Sequence, residues 1–305
     1  MPRNGAEPRT PPNHDKCHYH NPLPSVILPT KKHEVVKMKN LDAYKLKWIA
    51  IIGMFLNHAA MAFPEILPMW VQFVFYAAGG LTFPIMAFFV VEGYKHTSNM
   101  KKYLFRIFIF GLIAQIPYMI AFRLFGSGIN IMFTIFLGLI LLLLYDKIRI
   151  RFIFWLIFVV FVVVTFFFAF DWMIIGPVIM VMYRAISDEN RRRTMPAIVA
   201  GVFYILLVGL SLLGFHSLNA PGMEEALATF EASSGMTMEL MWPALAFPVG
   251  CFFVAYMLKH FSGERGKRMK YFFYIFYPLH FVVLAGIALA FGLFEISDLR
   301  TILGF

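Results

Sequence analysis

The stretch IAIIGMFLNHAAMAF, Ile49 to Phe63, decides the fold of this chain. It is apolar enough to lie in lipid, and it belongs to a block of about the length that crosses a bilayer, roughly 17 to 25 residues. Blocks of the same kind recur at roughly 69–94, 103–123, 130–145, 151–170, 172–184, 196–215, 241–258 and 271–294. Hydrophobic residues make up 60% of the 305, aromatic residues 18% and charged residues only 14%, against roughly 25% charged in a soluble domain. A soluble core of this size has no room for that much apolar surface. The composition therefore predicts an all-α, polytopic membrane helical bundle of about nine transmembrane helices, with the bilayer itself as its main partner.

The net charge of +10 would suit a nucleic-acid binder if the charges lay on one folded face. They do not, and no nucleic acid is expected. Of the 27 Lys and Arg residues, all but Arg123 and Arg300 fall in the first tail or in alternate loops. By the positive-inside rule this predicts a cytoplasmic N-terminus and an outer C-terminus, in a multi-pass protein of the cell membrane. Residues 1–40 are rich in Pro, Lys and His and read as a disordered cytoplasmic tail, with 41–305 as the membrane domain. His14, Cys17, His18 and His20 in that tail match no zinc spacing, so no metal is expected. The other cysteine, Cys251, lies in an apolar block, which leaves both as free thiols. No cleaved secretory signal is expected, since the first apolar block begins only near Lys47.

The outer loop from Phe215 to Leu240 carries Glu224, Glu225, Glu231 and Glu239 with no Lys or Arg, and GMEEALATFEASSGM within it suits an amphipathic surface helix. RFIFWLIFVVFVVVTFFFAF, the fifth block, is apolar on every side and should face lipid. Gly79, Gly80 and Pro84 interrupt the second block, as in a broken helix beside a cavity or in a plain packed kink. No internal repeat is visible.

Polar groups inside such a chain are the informative ones. Of nine histidines, only His58 and His280 lie deep in apolar blocks. Counted from Lys47 and Lys270 at 1.5 Å per residue, both stand about 15 to 17 Å above the same boundary. Equal depth lets them line one cavity if the first and last helices are neighbours. Each alone suits helix packing through a hydrogen bond to backbone or to Asn57, but two together point to a pathway or a catalytic site. Glu92 lies a turn from the cytoplasmic end of its block, where it either pairs with Lys95 or serves a ligand or proton. Lys101, Lys102 and Arg106 open the third block from the same side, as anchors or as a grip on phosphate. Tyr277 and Pro278 precede His280, and Gln115, Asn130, Asp171 and Trp172 complete the isolated polar groups.

LKWIAIIGMFLNHAAMAF, FVVEGYKHTSNMKKYLFRIFIFGLIAQIPY and FYIFYPLHFVVL, in this order, resemble the TraX family over about Leu41 to Phe294. The family commonly has Asp-His in its first span, where this chain has Asn57-His58. The resemblance implies an integral membrane acyltransferase, distantly similar to those that modify surface polysaccharides. Acetyl-CoA in the cytoplasm would be its donor, and an amine or hydroxyl of an exported pilin or cell-surface polymer its acceptor. It implies His58 as base or acyl carrier and His280 as the group that orients the thioester or relays the proton, with Asn57 and Glu92 as further catalytic candidates. Lys101, Lys102, Arg106, Arg149 and Tyr277 would then meet CoA. Two other classes stay open: a proton-coupled transporter using His58, Glu92 and His280, and a non-catalytic assembly protein that binds a partner through its acidic loop.

Overall fold

A computed structural model describes residues 41–122, 128–218, 242–267 and 272–293. The tail and its His/Cys cluster lie outside the described residues, as does the acidic loop. Ten α-helices are described: α1 Ala43–Ala62, α2 Met69–Gly79, α3 Thr82–His96, α4 Met100–Ala121 and α5 Ile131–Lys147, followed by α6 Arg151–Phe167, α7 Ile175–Ala185, α8 Glu189–Leu218, α9 Phe247–Lys259 and α10 Phe272–Ala290. A 3-10 turn, Pro243–Ala246, leads into α9. Each apolar block of the sequence holds one of these helices, with α2 and α3 together filling the second.

Crossing the bilayer is less uniform than nine equal spans. Among the described residues, the α2–α3 rod (Met69–His96), α4, α8 and α10 are each long and apolar enough to cross alone. This is a multi-pass membrane protein. By contrast α7 has 11 residues, about 16 Å at the helical rise, well short of a hydrocarbon core roughly 30 Å thick, and α9 with its leading 3-10 turn runs only from Pro243 to Lys259.

Glycines set how closely three helices approach. A Cβ on Gly53 of α1 would lie 2.4 Å from the Ala78 carbonyl oxygen of α2. On the other side of the rod, a Cβ on Gly80 would meet the Phe247 oxygen at 2.0 Å, and one on Gly250 of α9 the Ala77 oxygen at 2.0 Å. The interruption at Gly80 and Leu81 keeps right-handed helical dihedrals, so it is a packed tightening and not an unwound segment. Small residues that let backbones touch are the expected glue where lipid removes the hydrophobic drive between helices. α6 does the reverse: Phe154 and Thr165 alone are buried on it, and its outer face is left to lipid.

Polar residues near helix ends work locally. Asp42 caps α1 by accepting from the Lys45 N–H at 2.8 Å, and Asn99 caps α4 by accepting from Lys102 N–H at 2.9 Å. Asn130 caps α5 through Met132 N–H and donates to the Gly111 oxygen at 2.8 Å and to Gln115 Oε1 at 2.7 Å. Gln115 and Asn130 are thus a buried clamp between α4 and α5.

Glu92 belongs to a similar structural cluster. Its carboxylate accepts from Arg192 of α8 and from Lys95 at 3.2 Å. Arg192 also pairs with Glu189, and Arg193 bonds Glu189 at 2.6 Å and the Phe261 oxygen at 2.9 Å. The cluster ties α3, α8 and the chain after α9. Glu92→Gln should therefore lower the unfolding free energy by about 1–2 kcal/mol, the range for charge-assisted bonds that water partly screens. Thermal denaturation in detergent measures it, and an unchanged midpoint would refute the structural role.

Candidate functional site

α1 and α10 run side by side, with Trp48 against Phe272 at one end, ring centroids 5.0 Å apart. Further along both helices His58 meets His280. His58 Nδ1 lies 2.7 Å from His280 Nε2, and the rings stack at 5.0 Å with 14° between planes. Both are buried, at 7% and 2% exposure. Phe281 touches both rings, at 4.9 Å from His58 and 3.9 Å from His280, and Phe122 closes the edge of His58 at 5.3 Å. The two histidines read from the sequence as sharing one depth are in direct contact.

The second ring nitrogen of His280 fixes the direction of that contact. Nδ1 stands 3.2 Å from the Phe276 carbonyl oxygen one turn back. A carbonyl only accepts, so His280 Nδ1 carries hydrogen and its Nε2, in the neutral ring, offers a lone pair. His58 Nδ1 must then donate to it, which leaves His58 Nε2 as the unprotonated nitrogen. This tautomer follows from the hydrogen-bond pattern. The pair is a relay from a backbone carbonyl to a basic nitrogen.

That nitrogen belongs to a residue lining a cavity. Met54, Asn57, His58 and Met61 of α1 form one wall, and Gly79, Thr82, Phe83 and Met86 of the rod another. Ile131, Ile135, Asp171, Trp172, Phe247 and Phe273 complete it. The space open to water centres is about 50 Å³, several times the roughly 10–15 Å³ that one water needs. His280 stands behind His58, outside this lining. Asn57 does not bond His58: its Nδ2 donates to Met61 Sδ at 3.5 Å, and its Oδ1 is buried without a partner among the described residues. Oδ1 is seated over Gly79, where a Cβ would come within 2.2 Å of it.

Among the described residues Asp171 is the one carboxylate of the lining. It stands in the turn between α6 and α7, outside both helices. Burial pushes its carboxyl up to about 6, against an opposing hydrogen bond from the Trp172 N–H. The sequence shows Asp171 as an isolated polar residue but gives no sign that it joins His58, because no spacing links them and only tertiary closure does. Thr82 was equally silent; its hydroxyl donates to the Ala50 oxygen at 3.3 Å.

The remaining candidates are elsewhere. Glu92 is held in the ion cluster with Arg192 and is not among the residues that line the cavity. Lys101 and Lys102 are exposed at the start of α4, and Arg149 is exposed in the turn between α5 and α6. Arg106 is half-buried, 5.9 Å over the Tyr103 ring, with its Nε lacking a partner among the described residues. Tyr277 is fully buried, 5.5 Å from the His280 ring and 5.2 Å from Phe281, a packing neighbour of the relay outside the cavity lining. Among the described residues no group of three His, Cys, Asp or Glu side chains is placed to hold a metal.

A family model described as TraX protein matches residues 42–288. The chain belongs to the TraX family. His58, His280 and the cavity all fall inside the TraX match. The chain is also similar to the probable fimbrial assembly protein FimC, serogroup H1, of Dichelobacter nodosus, 29% identical over 265 residues, 81% of this chain and 96% of that protein. No solved structure matches this TraX chain.

Proposed function

We propose that this protein is a membrane acyltransferase that moves an acetyl group from cytoplasmic acetyl-CoA to an amine or hydroxyl of an exported acceptor, a pilin N-terminus or a cell-surface polymer. The observation that carries the reading is the relay of Phe276 carbonyl, His280 and His58, which ends in a lone pair on a residue of the cavity wall. A base so held takes the proton from the acceptor as its nitrogen or oxygen attacks the thioester carbonyl carbon. The carbon–sulfur bond then breaks and the proton passes to the thiolate. Family membership and the fimbrial assembly relative favour a pilin-like acceptor.

The cavity has room for the acetyl end of the donor and not for its nucleotide. With the N-terminus in the cytoplasm, Lys101, Lys102, Arg106 and Arg149 would stand at the donor side, and the Arg106 Nε, without a partner among the described residues, suits a phosphate oxygen. A proton-coupled transporter would need Glu92 on a path with the two histidines, and the ion cluster gives Glu92 another task.

Protein in proteoliposomes with labelled acetyl-CoA tests the proposal. CoA release together with label on an amine or hydroxyl acceptor is expected; proton or solute flux without thioester turnover would refute it. His280→Phe keeps an aromatic ring but removes the acceptor for His58 Nδ1. Transfer should fall by about 10- to 100-fold, the range for losing a supporting partner of a reactive histidine. A rate equal to that of the wild type would show that the relay plays no part.

A further inference from the structure

We propose that Asp171 is a second proton acceptor of the cavity, which takes the proton from an acceptor amine arriving as an ammonium ion. The inference rests on the acyl-transfer reading and concerns a residue that reading does not use. An ammonium nitrogen must give up two protons to become an amide. The first leaves before attack, because a nitrogen without a lone pair is no nucleophile. The second leaves as the carbon–nitrogen bond forms, and it can be returned to the departing thiolate. His58 has one vacant nitrogen and so manages one of these transfers. Asp171 accounts for the other: R–NH3⁺ gives its first proton to the carboxylate, which releases it to water, and its second to His58 Nε2, which delivers it to sulfur as the thioester bond breaks.

The chain around Asp171 is held as if its position mattered. Ala169 and Trp172 on either side have φ of +47° and +61°, a region that residues with a side chain rarely enter and that persists only where surroundings impose it. The surroundings do impose it. The Asp171 N–H donates to the Ile129 oxygen at 2.8 Å, and Ile129 N–H to the Ala169 oxygen at 3.1 Å. Thr134 donates its hydroxyl to the Asp171 carbonyl at 2.6 Å, reaching it past Gly176, where a Cβ would come within 2.7 Å of the Thr134 methyl. The Trp172 ring is wedged against Phe83 at 4.6 Å and Tyr204 at 5.1 Å.

The charge pattern agrees. Among the described residues no Lys or Arg lines the cavity, so the carboxylate meets no cation among them and suits an arriving one. The titratable groups facing Asp171 are the phenols of Tyr118 on α4, Tyr204 on α8 and Tyr277 on α10, with His58 of α1 in the same cavity. A carboxyl raised to about 6 is a far better base near neutral pH than an ordinary one.

Full-length protein in proteoliposomes decides this with two acceptors, triglycine, whose α-amine titrates near about 8, and aminoacetonitrile, a weakly basic amine uncharged at neutral pH. Asp171→Asn should slow triglycine acetylation at pH 7 by about 10-fold, the factor by which an amine titrating at about 8 is protonated there, and its rate should climb from pH 7 to 9 as the amine loses its proton in solution. The wild type should level off above about pH 7, and Asp171→Glu should keep that shape. With aminoacetonitrile, Asp171→Asn should stay within about threefold of the wild type, since one transfer is no longer needed. An equal loss with both acceptors at every pH, or no loss with either, would overturn the role of Asp171. Should the Asn variant not fold, the wild type still decides: a rise near pH 6 with triglycine that is absent with aminoacetonitrile supports the role, and the same rise with both overturns it. A wild type that turns over no thioester overturns the acyl-transfer reading itself.

Discussion

His58→Ala should reduce acetyl transfer by at least about 10²- to 10⁴-fold, the contribution of a positioned general base, while the bundle stays folded. Alanine removes the unprotonated ring nitrogen of the relay from a residue that lines the cavity, and the proposed proton transfer to sulfur loses its carrier. His280 keeps its bond to the Phe276 oxygen but loses the donor to its Nε2. Asn57 and Asp171 remain on the wall, so the cavity keeps its shape and its charge and lacks only the imidazole. CoA release and label on the acceptor are the measurements, with a thermal melt in detergent to confirm folding. Added imidazole should restore part of the lost rate, because the substitution opens space of the right size and chemistry. An alanine variant within about tenfold of the wild type would remove His58 from the mechanism and the proposed chemistry with it.

A second large effect is expected at a position with no chemistry at all. Gly250→Ala should cost about 3 kcal/mol or more, at the upper end for overpacking a tight site. The added methyl would stand 2.0 Å from the Ala77 oxygen and 2.8 Å from Gly80 Cα. These are backbone atoms, which cannot swing aside as a side chain does. α2 and α9 would have to separate, and with them Gly79 and Phe247, two residues of the cavity wall. Gly209→Ala on α8 is the control: nothing lies within 4 Å of its added carbon, and alanine in a helix gains up to about 1 kcal/mol over glycine. Unfolding midpoints of the two variants in the same detergent test the contrast. Equal midpoints would mean that the close approach of α2 and α9 does not hold the bundle together.

The histidine pair was legible because depth can be counted. Two imidazoles at one height in parallel helices meet if the helices are neighbours, and the residue count supplies the height. The Glu92 cluster was half legible: Lys95 is one helical turn away and visible in the sequence, whereas Arg192 arrives on α8 and takes the carboxylate into a structural tie. Tyr277 shows the opposite limit. Its place near His280 is plain from spacing, yet which way its ring faces on α10 depends on what packs there, and the packing buries it.

Composition and periodicity alone determined that this chain is a multi-pass helical membrane protein, and which blocks are helices, since lipid forces every backbone group to find its partner within the helix. The same exclusion marked His58 and His280 as residues needing a reason to be there. Only the tertiary structure decided that α7 is as short as 11 residues, that glycines bring α2 against α1 and α9, and that Asp171 joins His58 in one cavity. Those facts depend on contacts between residues far apart in the chain, where shape and backbone clearance govern, and no local pattern of apolar and polar residues encodes them.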